Sequence, residues 1–225
     1  ERIHSVANLV NDRVRDLDTM EFLSDMIYER LPRFLDEYEY YLSENEIIKS
    51  RCIGVGMLPA DMAVAYSAAG PLLRAAGVEY DVRRAEPYSI YDELDFDIPV
   101  GVQGDIYDRY TVRMAEMRES LRILRQIMPR LEETKGESVT GNTQYAARVP
   151  IGESYARVEN PKGELGYYVV SAGDKKGTQN AWRYHIRAPS FINLTPLGQM
   201  SKGHKVADVV TVLGSIDIVL GETDR

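Results

Sequence analysis

The sequence predicts a mainly α fold, a helical bundle that carries a small antiparallel β unit. Three observations predict it. Between Asp105 and Leu131, the residues Ile106, Tyr110, Met114, Met117, Leu121, Leu124, Met128 and Leu131 recur every three or four positions, which is one sustained helical stripe. A second stripe of the same spacing, Leu23, Ile27, Leu31, Phe34, Tyr38 and Tyr41, runs between Met20 and Leu42. Trp182 to Arg187 alternates strictly, so one face of a strand is apolar and the other basic.

Taken in order, the Met20–Leu42 helix contains Pro32, which has no N–H to donate and is expected to kink or divide it. A second helix is expected over Pro59–Ala69, with Pro59 near its first turn and Gly70-Pro71 ending it. Residues 70–102 are rich in Gly, Pro and Asp but interleave aromatics with arginines, so they are expected to run as an ordered, irregular connection. On the long Asp105–Leu131 helix the arginines 109, 113, 118, 122 and 125 fall off the apolar stripe, and the spacings Asp105/Arg109 and Glu119/Arg122 predict surface pairs. Residues 132–152 are polar, hold Gly136, Gly141 and Pro150, and read as a loop or mobile insertion. The strand Trp182–Arg187, stopped by Pro189, is expected to pair with Gly163–Val170, with Tyr155–Glu159 as a third strand and residues 171–180, tipped by Lys175-Lys176, as the hairpin loop. A last helix is expected over Lys205–Leu213, capped by Gly214. The predicted organisation is thus a helical region over 1–152 and a β unit with C-terminal helix and tail over 153–225, both packed on one core.

With 225 residues, 44% of them hydrophobic and 28% charged, the chain has the composition of a globular protein with a substantial core. Its net charge of −8 argues against nucleic acid as a partner. There is no apolar run long enough to span a bilayer and no secretory signal at the start. The single Cys52 excludes an internal disulfide and an iron-sulfur cluster held by this chain alone, and points to a reducing compartment. The missing initiator Met points to a processed or truncated piece.

No residue set has metal-ligand spacing: His4, His185 and His204 are scattered, and no metal is expected on the chain. Gly54 and Gly56 lack the Lys-Ser or Lys-Thr of a phosphate loop and read as a tight turn before a helix. Leu213–Asp217 does not form a nucleophile elbow, and Asn193-Leu194-Thr195 matches a glycosylation acceptor by chance. The arginine row reads either as an anion-binding face or, preferred, as a solvated face with intrahelical pairs. Asp92, Glu93, Asp95 and Asp97 read as a solvated acidic loop. Asp217 stands apart, flanked by Ile216, Ile218, Val219 and Leu220: it is either an exposed terminal carboxylate or a buried one that needs a partner, since burying it alone costs several kcal/mol.

The tail Asp217-Ile218-Val219-Leu220-Gly221-Glu222-Thr223-Asp224-Arg225 resembles the D-P-C-x-x-C-x-x-H/R ending of nickel-iron hydrogenase large subunits, with Val219 and Glu222 where the metal-binding cysteines stand. Val offers no lone pair to a metal. That substitution resembles the hydrogenase-derived D subunit, the 49 kDa type, of respiratory complex I. The stretch Gly70–Arg83 is similar to that family's G-P-x-L-R-A-x-G-x-x-x-D-x-R signature, and Tyr91–Phe96, Gly104–Tyr110, Arg113–Ser120, Pro161–Gly166, Ile186–Phe191 and Ala207–Asp217 continue the likeness.

The resemblance implies a hydrogenase-large-subunit-like helical bundle in the peripheral arm of an NADH-quinone oxidoreductase, on the cytoplasmic side of the inner membrane or its organellar equivalent. It implies that electrons pass from NADH at a distant subunit, through an iron-sulfur cluster in a neighbouring small subunit, to quinone, coupled to ion translocation. The implied partners are that small subunit, the C subunit and a membrane-arm subunit, with quinone as substrate and no cofactor bound by this chain. The implied quinone-binding residues are Asp217, Ile218, Val219 and Leu220, with Glu222 and Arg225 as structural tail residues that satisfy each other or hold the tail to the fold. The family's His and Tyr quinone-head ligands lie in an N-terminal portion ahead of this chain, so no catalytic residue is expected here and the isolated chain is expected to be inactive. The opening Arg2-Ile3-His4-Ser5-Val6 departs from the family's R-I-G-G-V. Two other functions are open: a metal-free hydrogenase-like scaffold, or the equivalent subunit of a related membrane complex that oxidises ferredoxin or reduced deazaflavin.

Overall fold

A computed structural model describes residues 17–133, 149–173 and 180–224. Residues 17–43 form one helical run in which α1 (Leu17–Asp25) and α2 (Leu31–Tyr38) alternate with π turns at Met26–Arg30 and Glu39–Ser43. Pro32 lies in the first turn of α2, directly after a π turn. The wider turn absorbs the missing N–H, so the proline divides the hydrogen-bond pattern without ending the helix.

The short α3 (Glu46–Cys52) starts at Asn45, whose Oδ1 accepts from the Ile47 N–H at 2.9 Å. The next helix, α4 (Ala60–Ala65), is shorter than the spacing predicts, because Ser67 turns into the left-handed region at φ 55° and Pro59 serves as the N-cap. The irregular connection is ordered as expected, with α5 (Pro71–Ala75), α6 (Val82–Ala85) and a 3-10 turn at Tyr91–Glu93. It leads into the long α7 (Ile106–Glu133). Three antiparallel strands, β1 (Gly152–Asn160), β2 (Gly163–Ser171) and β3 (Arg183–Arg187), form a sheet in the order β1-β2-β3, with Tyr168 opposite both Tyr155 and His185. Then come α8 (Pro189–Asn193), α9 (Leu197–Met200), α10 (Val206–Ile216) and α11 (Leu220–Thr223). Among the described residues, no helix is long and apolar enough to cross a membrane. Of the insertion expected at 132–152, Glu132 and Glu133 continue α7 and Gly152 opens β1, while residues 134–148 lie outside the described residues, as do the hairpin tip Lys175-Lys176, the opening residues and Arg225.

The main core joins α4, α5, the start of α7 and the C-terminal helices: Leu58, Ala63, Leu72, Leu73, Ile106, Met200, Val212 and Ile216 are buried together. Two satellites flank α7. Met114 and Leu121 pack on Leu35 of α2, while Ile123 packs on Leu94 and Phe96 of the connection. The helix is therefore gripped on three sides, and one stripe does not describe it. Of the expected stripe, Met117, Leu124 and Leu131 are exposed, and Met117 and Leu124 border an apolar groove with Phe34 and Tyr38. Val112 and Ile123, outside the stripe, are buried.

The arginine row also differs from the expected solvated face. Arg109 is 0% exposed, and Asp105, its expected surface partner, is buried and accepts instead from the Gly54 and Asp108 N–H groups at 2.8 Å each. Glu119 and Arg122 do pair, at 3.3 Å. The acidic run is not merely solvated, because it is the counter-charge of this helix: Arg122 pairs with Asp95 and Asp97, and Arg130 with Glu93 at 2.7 Å. Arg118 reaches Asp36 and Glu39 at 2.8 Å, and Arg125 lies over the Tyr28 ring. These partners are distant in sequence, which is why helical spacing did not reveal them. Asn193 of the apparent glycosylation acceptor is buried, and its amide bridges Ala69 N–H, Ala69 O and Lys162 O.

Candidate functional site

The tail begins where α10 ends. The expected cap Gly214 lies inside the helix, and Asp217 supplies the left-handed cap at φ 60°, ψ 54°. Asp is among the few non-glycine residues that adopt this corner readily. The corner turns the Asp217 carboxylate toward the β1–β2 turn and α7: Lys162 Nζ donates to its Oδ2, and Arg113 Nε stands 3.8 Å from the same atom. The side chain is 47% exposed, so both sequence alternatives hold in part: the carboxylate is partly solvated and also paired.

Asp217 borders a charged cleft of about 590 Å³, with Pro71, Arg74, Arg113, Glu116, Glu159 and Lys162 also in its lining. Arg74 is the most deeply buried arginine of this lining. Its guanidinium is buried and donates to Glu116 at 2.6 Å and Glu159 at 2.9 Å, with Asp81 3.6 Å away. Burial alone would push the Arg74 pKa down, but the two glutamates outweigh it and hold the pKa above its ordinary value. Burial pushes the Glu159 carboxyl above its ordinary value even against the pull of Arg74. Asp81 feels burial too, yet the Arg83 hydrogen bonds and charge leave it below its ordinary value.

Two arginines of α7 meet the end of α10. Arg109 donates to Ser215 Oγ at 2.9 Å, Gly56 O at 2.8 Å and Gly104 O at 2.9 Å. Arg113 donates to Ile216 O at 3.2 Å. Burial lowers both guanidinium pKa values, that of Arg109 to about 10 with help from the charge of Arg113. The expected tight turn at Gly54 and Gly56 serves this contact: both have positive φ, and a Cβ on Gly56 would stand 3.1 Å from Arg109 Nη2 and 2.6 Å from Val212 Cγ2.

Past Asp217 the tail residues separate. Ile218 packs against the main core, whereas Val219 is 45% and Leu220 74% exposed. None of the three borders the charged cleft. The tail is tied down through Ser190, which accepts from the Val219 N–H at 3.3 Å and donates to Glu222 Oε2 at 2.5 Å. Glu222 Oε1 is buried, with no hydrogen-bond partner among the described residues. Among the described residues, no group of three or more His, Cys, Asp or Glu side chains is placed to hold a metal ion.

The family profile described as respiratory-chain NADH dehydrogenase, 49 Kd subunit, matches residues 12–148 and 137–225. The chain belongs to this 49 kDa subunit family. It is 56% identical over 218 residues to the first of the numbered D subunits of NADH-quinone oxidoreductase in Roseiflexus sp. (strain RS-1), covering 94% of this chain and 57% of the relative. It is 49% identical over 215 residues to the second of the numbered D subunits of NADH-quinone oxidoreductase in Herpetosiphon aurantiacus, with the same coverage of 94% and 57%. It is 41% identical over 245 residues to the NADH-quinone oxidoreductase D subunit of Azoarcus sp. (strain BH72), covering 97% and 58%. This 49 kDa family chain thus spans a little over half the length of these relatives.

Sequence reasoning singled out the tail of this family member but missed the residues that hold it. Lys162, Arg113, Ser190 and Ser215 fell inside matched motifs without a role of their own, and Arg113 was otherwise read only as one of the arginine row. The four-residue spacing of Arg109 and Arg113 was the one available clue, since it puts both on one side of α7.

Proposed function

We propose that the chain is part of the D subunit of an NADH-quinone oxidoreductase, in the peripheral arm on the cytoplasmic side of the inner membrane or its organellar equivalent. There the tail forms part of a quinone cavity that receives electrons from an iron-sulfur cluster in a neighbouring small subunit. The observation that carries this reading is the tail itself: within a chain of the 49 kDa family, Val219 and Glu222 stand where a hydrogenase-type ending has cysteines. The names of its relatives support the same enzyme. In this reading the fold is the hydrogenase-large-subunit bundle without its metal. Val219 and Leu220 supply apolar wall for a quinone ring or chain, Ile218 braces them on the core, and Asp217 is the polar group beside them. Glu222 holds the tail through Ser190. The C subunit and a membrane-arm subunit complete the surroundings.

The exposure of Val219 favours a second reading, in which the chain is a metal-free scaffold that only bridges partners. The quinone reading requires that other polypeptide close over Val219 and Leu220. Val219→Met in the assembled enzyme separates the two. A longer side chain in a shaped cavity shifts the KM for quinone or the sensitivity to quinone-site inhibitors, while unchanged kinetics and inhibition support the scaffold.

A further inference from the structure

We propose that Arg109 and Arg113 are positioning residues that set the Asp217–Leu220 segment for quinone by gripping the carbonyl end of α10. This rests on the reading of the tail as quinone-facing.

Arg109 carries a buried charge that, among the described residues, pairs with no carboxylate. Its partners are the oxygens of Gly56, Gly104 and Ser215, with Met200 Sδ at 3.6 Å. An apolar side chain of similar volume would fill this site without the cost of desolvating a cation. A planar guanidinium alone can hold several oxygens on separate segments in one fixed fork. One turn along α7, Arg113 continues the grip: Nη1 donates to Arg109 O at 3.0 Å, Nη2 to Ile216 O at 3.2 Å, and Nε faces Asp217. The two side chains therefore engage Ser215, Ile216 and Asp217 in succession, the last turn of α10 and its left-handed corner. Two cations at a helix C-terminus also match its dipole. Residues 218–220 leave from that corner, so their direction follows from it.

The test uses the assembled membrane enzyme with the full-length subunit carrying Ser215→Ala, Arg113→Lys or Arg109→Lys, with Val219→Met as reference. Ser215→Ala removes the hydroxyl that Arg109 holds, together with its bond to Val212 O at 2.6 Å within α10. Arg113→Lys keeps the charge but loses the fork. NADH oxidation by a water-soluble ruthenium complex measures intact assembly upstream of quinone. The expected result for Ser215→Ala and Arg113→Lys is a quinone KM raised about threefold or more with little change in kcat, the signature of altered binding. A shifted inhibitor half-point accompanies it. If Arg109→Lys fails to assemble, the other two variants decide. Unaltered KM and inhibition in both, with Val219→Met shifted, overturns the positioning role and leaves the quinone reading standing. Unaltered values in all, Val219→Met included, overturn both.

Discussion

A Cβ on Gly70 would stand 2.5 Å from Gly163 Cα, so the backbones of these two glycines cross in direct contact. Both have positive φ, 65° for Gly70 and 130° for Gly163. The crossing seats the β1–β2 turn on the entrance to α5 and carries Lys162 to the Asp217 carboxylate. Gly70→Ala has to push backbone against backbone in a left-handed conformation, and it is expected to cost about 2–4 kcal/mol. Thermal unfolding of the full-length subunit checks this; a midpoint equal to that of the unaltered subunit speaks against the crossing.

Ser190→Ala removes both the donor to Glu222 Oε2 and the acceptor of the Val219 N–H. Leaving part-buried groups unpaired costs about 1–3 kcal/mol. That cost falls on the tail, so hydrogen exchange at Val219 and Leu220 is expected to speed up while the centre of α7 is unchanged. Equal exchange in both proteins means that Ser190 is not the tether.

Much of the frame was readable from local pattern. The spacing in α7 and the strand alternation each report on neighbours within a few positions, and the long helix and the three strands stand close to where expected, although only part of the stripe is buried. Contacts between distant segments were not readable. Helical spacing gave Glu119–Arg122, but Asp95 reaches Arg122 across 27 residues and Asp36 reaches Arg118 across 82. Arg109 looked like surface charge because its partners are carbonyl and hydroxyl oxygens, which leave no trace in charge pattern. The Gly214 cap failed because an Asp three residues later takes the same left-handed corner. At the tail, the likeness to a hydrogenase-type ending marked the segment, but its division into a paired Asp217, a packed Ile218 and exposed Val219 and Leu220 depends on that corner.

The buried Glu159 predicts a pH dependence. Burial holds its carboxyl above the ordinary 4.5 in the folded chain. Just above that ordinary value the folded state therefore binds more protons than the unfolded one. The stabilisation is therefore fully present below the unfolded value and is lost as pH rises through the folded value. Asp81 acts in the opposite sense, with its change below 3.8. Between about pH 4.5 and pH 7, urea midpoints of the full-length subunit are expected to fall less for Glu159→Gln than for the unaltered subunit. Parallel curves contradict the burial effect.

The purified 225-residue chain is expected to oxidise no NADH and to bind no nickel, because Val219 and Glu222 give that metal no thiolate. Elemental analysis after growth with nickel checks this; a stoichiometric content overturns the metal-free reading.

The most direct measurement is photolabelling of the assembled membrane enzyme with an azido-quinone, followed by peptide mapping. A tail that lines the quinone cavity predicts label within Asp217–Leu220 that excess quinone removes. Efficient, competed labelling elsewhere in the enzyme with none in this segment would contradict it.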